Sequence, residues 1–212
     1  MSVSLDSLDD AVFRRMNDVD FPIDRVLEGI DATAAAGLAP VKVNAVIRRG
    51  VNDHTVVDMA GHFRNTGHVV RFIEYLDVGT TNEWCLDGVV PGADIVAAIN
   101  DEFPLEPVES GYRGEVARRY RYVDGAGEIG IISSVTLPFC GDCTRLRLSA
   151  DGKLYTCLFA AKGYDLRAVL RAGDDVSKFF TDLWESRDDR HSELRNEVTA
   201  DLTKPEMSYL GG

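Results

Sequence analysis

At 212 residues, with 45% hydrophobic and 27% charged side chains, the chain can bury a sizeable core and is too apolar to be a disordered polypeptide. A net charge of −12 with no basic tract excludes a general DNA- or RNA-binding surface. No apolar run approaches the roughly 18–20 residues of a membrane span, and MSVSLDSLDD lacks a basic segment leading into an apolar one, so the expected compartment is the cytoplasm, where thiols stay reduced.

In chain order, VSLDSL reads as a strand, followed by a helix over PIDRVLEGIDATAAAGL. There Val26, Ile30 and Ala34 recur at helical spacing, and Gly37 suits the C-terminal cap. VKVNAVI is a second strand, and DHTVVDMAGHFRNTG a second helix with Asp53 as its N-cap and Val56, Val57, Ala60 and Phe63 on one face. VVRFIEYL is a third strand and GADIVAAINDEF a further helix. Strands separated by helices of this length form βαβ units and a parallel sheet, either doubly wound or part of a barrel.

Beyond residue 107 the texture changes. RRYRYVDGAGEIGIISSV reads as two strands around a glycine turn, and TRLRLSADGKLYTCL as a hairpin about Asp151-Gly152. Two amphipathic helices follow, one with Leu166, Val169 and Leu170, the other with Val176, Phe179, Phe180 and Leu183. The expected organisation is a parallel α/β part over residues 1–106 and a hairpin-plus-helix extension over 107–212.

Parallel strands covered by helices on both sides tend to be apolar throughout. Here Ser4 and Asp6 alternate on one face of the first strand, Lys42 and Asn44 on one face of the second, and Arg71 lies in the third with Glu74 opposite. If the sheet curves, that polar face is a ligand-lining lumen; otherwise these residues are solvated strand ends.

Cys140, Cys143 and Cys157 stand in a C-x2-C-x13-C pattern, with Arg145 and Arg147 between the last two. A tight C-x2-C turn presents two thiolates to one ion or cluster, and the hairpin returns Cys157 towards Cys143. A structural zinc site takes four protein ligands. The remaining candidates, Cys85, His54, His62, His68 and His191, have no spacing that ties them to these three. A [4Fe–4S] cluster with one open iron, a zinc site and simple structural thiols are the three readings of the spacing. Cys85, alone in NEWCLDG, fits a buried small hydrophobe.

FCGDCTRLRLSADGKLYTCLF, together with VSLDSLD, VKVNAVIRRGVN, RFIEYLDVG, GEIGIIS and the final MSYLGG, resembles the C-terminal two-thirds of the MoaA family, radical S-adenosylmethionine GTP 3′,8-cyclases of molybdenum cofactor biosynthesis. The resemblance implies a partial TIM-type barrel of βα units with a C-terminal hairpin and helical extension. It implies a C-terminal [4Fe–4S] cluster on Cys140, Cys143 and Cys157, whose open iron holds GTP. Lys42, Arg71, Thr144, Arg145, Leu146 and Arg147 are then GTP contacts, and Ser4 and Leu76 line the S-adenosylmethionine pocket, where Leu76 replaces a frequent methionine. Gly211 and Gly212 form a tail that enters the active site. A homodimer is a further expectation, and the downstream functional partner is cyclic pyranopterin monophosphate synthase.

The family's second [4Fe–4S] cluster, which generates the radical, sits on a C-x3-C-x2-C motif ahead of VSLDSL, and this chain has no such motif. The expectation is a truncated form that keeps the GTP end, with an exposed sheet edge and poor solubility. The rival readings are a non-catalytic metal- and nucleotide-binding remnant and a zinc-stabilised structural domain.

Overall fold

The computed structural model describes residues 1–79, 84–194 and 204–210. Two compact units emerge, one of Met1–Tyr75 with Leu86–Leu137, the other of Leu76–Cys85 with Pro138–Gly212.

The first unit holds β1 (Ser2–Ser4), α1 (Asp10–Asn17), α2 (Ile23–Ala35), β2 (Lys42–Ile47), α3 (Val56–Phe63), β3 (Val69–Glu74), α4 (Gly92–Glu102), β4 (Leu105–Val108), β5 (Arg118–Tyr122) and β6 (Glu128–Ile132). These strands form one six-stranded sheet in the order β1-β2-β3-β6-β5-β4. β1, β2, β3 and β6 run parallel, and β5 and β4 add antiparallel strands beyond β6. The sheet therefore crosses the boundary expected at residue 107, because β6 returns to pair with β3 and carries its hairpin partner with it.

Val43, Ala45 and Ile47 from β2, Val70 and Phe72 from β3, and Ile129 and Ile131 from β6 form the buried side of the sheet. They pack in one core with Ile30 of α2, Met59 and Phe63 of α3, and Ile95 and Ile99 of α4. Burying each of these side chains larger than alanine stabilises the fold by roughly 1.5–3 kcal/mol. The other side is different in kind. Lys42, Asn44 and Arg71 are only half-buried, so these parallel strands alternate instead of being apolar on both faces.

Two elements lie outside the sequence expectations. α1 has a single buried residue, Phe13, and is fixed at its start by the Asp9 carboxylate, which accepts from the Val12 N–H at 2.9 Å. β4 carries Pro107 and stands at the sheet edge, where a missing N–H is tolerated. Gly37 follows α2 at φ 77° and closes it, as expected. Asp53 does not cap α3. It sits in a 3-10 turn, Asp53–Thr55, that precedes the helix, and its carboxylate accepts from the Gly50 N–H instead.

Asn52, in that same loop, is fully buried. Its amide donates to the carbonyls of Asp6 (2.7 Å) and Val46 (2.8 Å), and its Oδ1 accepts from the Arg48 N–H (2.8 Å). One side chain thus satisfies three backbone groups from two strand ends and a loop.

The second unit contains β7 (Arg147–Leu148), β8 (Lys153–Tyr155), β9 (Tyr164–Asp165), α5 (Leu166–Ala172) and α6 (Val176–Glu185). The hairpin turns at Asp151-Gly152 as expected, with Gly152 at φ 84° and the Ser149 hydroxyl donating to Asp151. A third short strand, β9, joins β8 just ahead of the first expected helix. The helix begins only at Leu166, with Asp165 accepting from the Ala168 N–H. Leu154, Leu166 and Leu183 form a small core supported by Leu146, Val176, Phe179 and Phe180. No helix among the described residues is long and apolar enough to cross a membrane.

Candidate functional site

In the first unit, strand register places Ser4 beside Asn44, Asn44 beside Arg71, and Arg71 beside Gly130. Lys42 is two residues before Asn44 and so shares its face. A Cβ on Gly130 would lie 3.2 Å from Arg71 Cγ, so the glycine leaves room for the arginine stem. Asn44 Oδ1 is buried without a hydrogen-bond partner, the condition of a polar atom awaiting a donor. Asp6, expected on this face, is committed elsewhere: its carboxylate accepts from the Val46 N–H at 2.8 Å, and burial, partly offset by that bond, raises its pKa. Glu74 falls on the opposite side, as alternation requires, and is fully buried. It accepts from the N–H groups of Gly92, Val135 and Thr136 and from the Thr136 hydroxyl.

The second unit carries the cysteines. Cys140 begins a 3-10 turn, Cys140–Asp142, and Cys143 follows it. Cys140 and Cys143 are half-buried, Cys157 is buried, and all three are free thiols. The hairpin ladder pairs Arg147 with Tyr155, two residues from Cys157. Burial, with the nearby charges of Asp189, Cys140 and Cys143, pushes the Cys157 thiol up to about 11, although the Phe159 N–H pulls the other way. Burial also opposes ionisation of Cys143, but hydrogen bonds and positive charge from Arg145 and a bond from Arg187 outweigh it and lower its pKa. Among the described residues, no three His, Cys, Asp or Glu side chains stand ready to hold a metal ion. The expected convergence of sulfurs is therefore not preassembled. Three neighbouring thiolates repel one another, and neutral thiols can pack apart until a cation draws them together.

Arg145 and Arg147 are both half-buried on the cysteine hairpin. Arg147 is held below its ordinary pKa by burial and by Arg145, with Cys143 and Cys157 acting in the other direction. Arg145 lies over the Phe139 ring at 5.2 Å, and its Nε is buried without a partner. Two adjacent, desolvated cations beside thiols suit an anion. Leu146 turns away into the helical core, leaving only its backbone for a ligand, and Thr144 is exposed.

The described end of the chain docks in this unit. Leu210 is buried with Val78, Tyr155, Cys157, Leu158, Phe159 and Ala160, and Leu76 packs against the same cluster. Lys204 pairs with Asp77, and the Tyr209 ring stands edge-on to Tyr155 with 6.3 Å between centroids. Gly211 and Gly212 lie outside the described residues. Cys85 is exposed, not buried, because it precedes a surface 3-10 turn, Leu86–Gly88, that buries none of its residues.

Leu210→Ala is expected to lower the unfolding free energy by about 2 kcal/mol, as a core truncation near the end of a chain that can partly close the gap. Urea unfolding checks this; a loss below the error of the fit would mean that the tail is not anchored there.

The family model described as Molybdenum Cofactor Synthesis C matches residues 68–193. Over its whole length the chain is 48% identical to a GTP 3′,8-cyclase of Acidothermus cellulolyticus and 46% identical to one of Xanthomonas axonopodis pv. citri, spanning 66% and 64% of those proteins. Over 89% of its length it is 49% identical to a GTP 3′,8-cyclase of a Synechococcus strain, spanning 55% of it. The chain thus covers less than two thirds of each of these relatives.

Proposed function

The chain belongs to the Molybdenum Cofactor Synthesis C family, and from that premise we propose that it is the nucleotide-holding part of a GTP 3′,8-cyclase, built on a partial TIM-type barrel. The supporting observation is the pairing of three free thiols with two half-buried arginines on one short segment. The donor set fits a [4Fe–4S] group, since iron–sulfur clusters are held by cysteine thiolates. On this reading Cys140, Cys143 and Cys157 hold the cluster, whose open iron supplies a Lewis-acidic point for the purine.

Arg145 and Arg147 bind the anionic side of GTP. Their forked donors fix its orientation and replace the water that half-burial has removed. Thr144 offers a hydroxyl at the rim, and Leu146 contributes backbone. Lys42 and Arg71, on the polar face of the sheet, are assigned to the nucleotide, and Ser4 and Leu76 to S-adenosylmethionine. Radical generation belongs to a C-x3-C-x2-C site that this sequence does not contain.

Anaerobic reconstitution of the chain with iron and sulfide tests the reading. About four iron and four sulfide per chain are expected, with the EPR spectrum of the reduced sample altered by GTP. Stoichiometric zinc in place of iron, or a spectrum indifferent to GTP, would overturn it.

A further inference from the structure

Arg187 is the second residue after α6, 44 positions from Cys143, yet its Nη1 donates to the Cys143 carbonyl at 2.5 Å. Its side chain is only 10% exposed. Its Nε donates to Asp189 at 3.2 Å, and its guanidinium lies 4.9 Å from the centroid of the Trp184 ring. A guanidinium withdrawn from water needs partners for its donors, and here Asp189 and the Cys143 carbonyl supply them. Leu183, one turn earlier in α6, is fixed in the core that also holds Leu146 and Leu154, so the arginine reaches the cysteine loop from a helix tied to the hairpin itself.

We propose that Arg187 is a positioning residue that holds Cys143 by its main-chain carbonyl, oriented by Asp189, and raises the reduction potential of the iron–sulfur group on that loop. The inference rests on the cluster reading above. A positive charge fixed beside a ligating cysteine stabilises the more negative, reduced state, and the charge and bonding around the ligands are recognised controls of cluster potential. Arg145 and Arg147 belong to the cysteine segment and are assigned to the nucleotide. Arg187 enters from outside that segment, and its donors end on protein groups. A lysine would keep the charge but could not hold the carbonyl and the carboxylate in one planar fork.

The test is EPR-monitored redox titration of the anaerobically reconstituted chain, alongside iron counts, for the wild type and for Arg187→Gln, Arg187→Lys and Asp189→Asn. The expected result is wild-type iron content with a midpoint potential shifted negative in Arg187→Gln, less so in Arg187→Lys. Asp189→Asn leaves the arginine in place but loosens its aim, so a smaller negative shift is expected there. If Arg187→Gln loads poorly, the shift in the two milder variants decides the matter. Unchanged potentials in every variant that loads, or iron loss in the variants with no shift in what remains, would reduce Arg187 to a packing residue and overturn the role. A wild-type chain that takes up no iron would overturn the cluster reading itself, and this role with it, a failure distinct from the others.

Discussion

Replacing Glu74 by alanine is expected to lower the unfolding free energy by about 4 kcal/mol, the sum of several buried donors losing their acceptor. Glu74 is fully buried at the end of β3. Its Oε1 accepts from the Gly92 N–H at 2.7 Å and the Thr136 hydroxyl at 2.5 Å, and its Oε2 from the Val135 and Thr136 N–H groups, each at 2.8 Å. The carboxylate also faces the first turn of α4, where negative charge is favourable. Gly92 is what lets it approach, since a Cβ there would lie 2.2 Å from Ser133 Oγ and 2.7 Å from Ile131 Cγ2.

Glutamine is the informative companion. Its amide nitrogen must replace one oxygen, and the less damaging choice is Oε1, because the Thr136 hydroxyl can rotate to accept while backbone N–H groups cannot. Gly92 then keeps an N–H with no acceptor, at a cost of about 2 kcal/mol. Denaturant unfolding of the two variants separates these cases. A Glu74→Gln variant as stable as wild type would show that the cap is not needed in its ionised form.

The second large effect concerns the hairpin arginines. The double variant Arg145→Ala, Arg147→Ala is expected to weaken GTP binding about a thousand-fold, or about 4 kcal/mol, at roughly 2 kcal/mol for each charge-assisted contact. Iron content should not change, since neither residue ligates metal. The ligand-free protein should be no less stable, because the substitution relieves one half-buried cation of another: burial and Arg145 both hold the Arg147 pKa down. Calorimetric titration with GTP, paired with iron analysis and thermal unfolding, reads all three. Loss of iron along with GTP would make the arginines part of the loop's architecture, and unaltered GTP affinity would remove them from the nucleotide site.

Much of this was legible in the residues. The alternation of Lys42 and Asn44 against Val43 and Ala45 announced a sheet with one apolar and one polar side, and the strands are built that way. Asp151-Gly152 specified the hairpin because glycine alone takes its positive φ readily. What escaped has a common cause. α1, β4 and β9 are short, and each buries too little for periodicity to register. Glu74 and Asn52 bond to backbone groups brought near only by the finished fold, and such partners leave no trace in spacing. Asp53 shows the opposite failure: a good capping residue near a helix start found a nearer use one turn earlier. The cysteine pattern picks out candidate ligands by type and interval, but side chains that repel when ionised are not assembled by hairpin geometry alone.

The arrangement around Asn52 has a meaning for how such chains diverge. Aspartate has the right length but nothing to give the carbonyls of Asp6 and Val46, and glutamine carries the right groups on an arm one carbon too long for a space with no exposure. No ordinary replacement meets both conditions, whereas the strand valines can drift to isoleucine and back with modest adjustment. Across distant descendants of a common ancestor, position 52 should therefore stay fixed longer than the residues of the core around it. An inconspicuous loop asparagine would then be a better marker of shared descent than the apolar strands beside it.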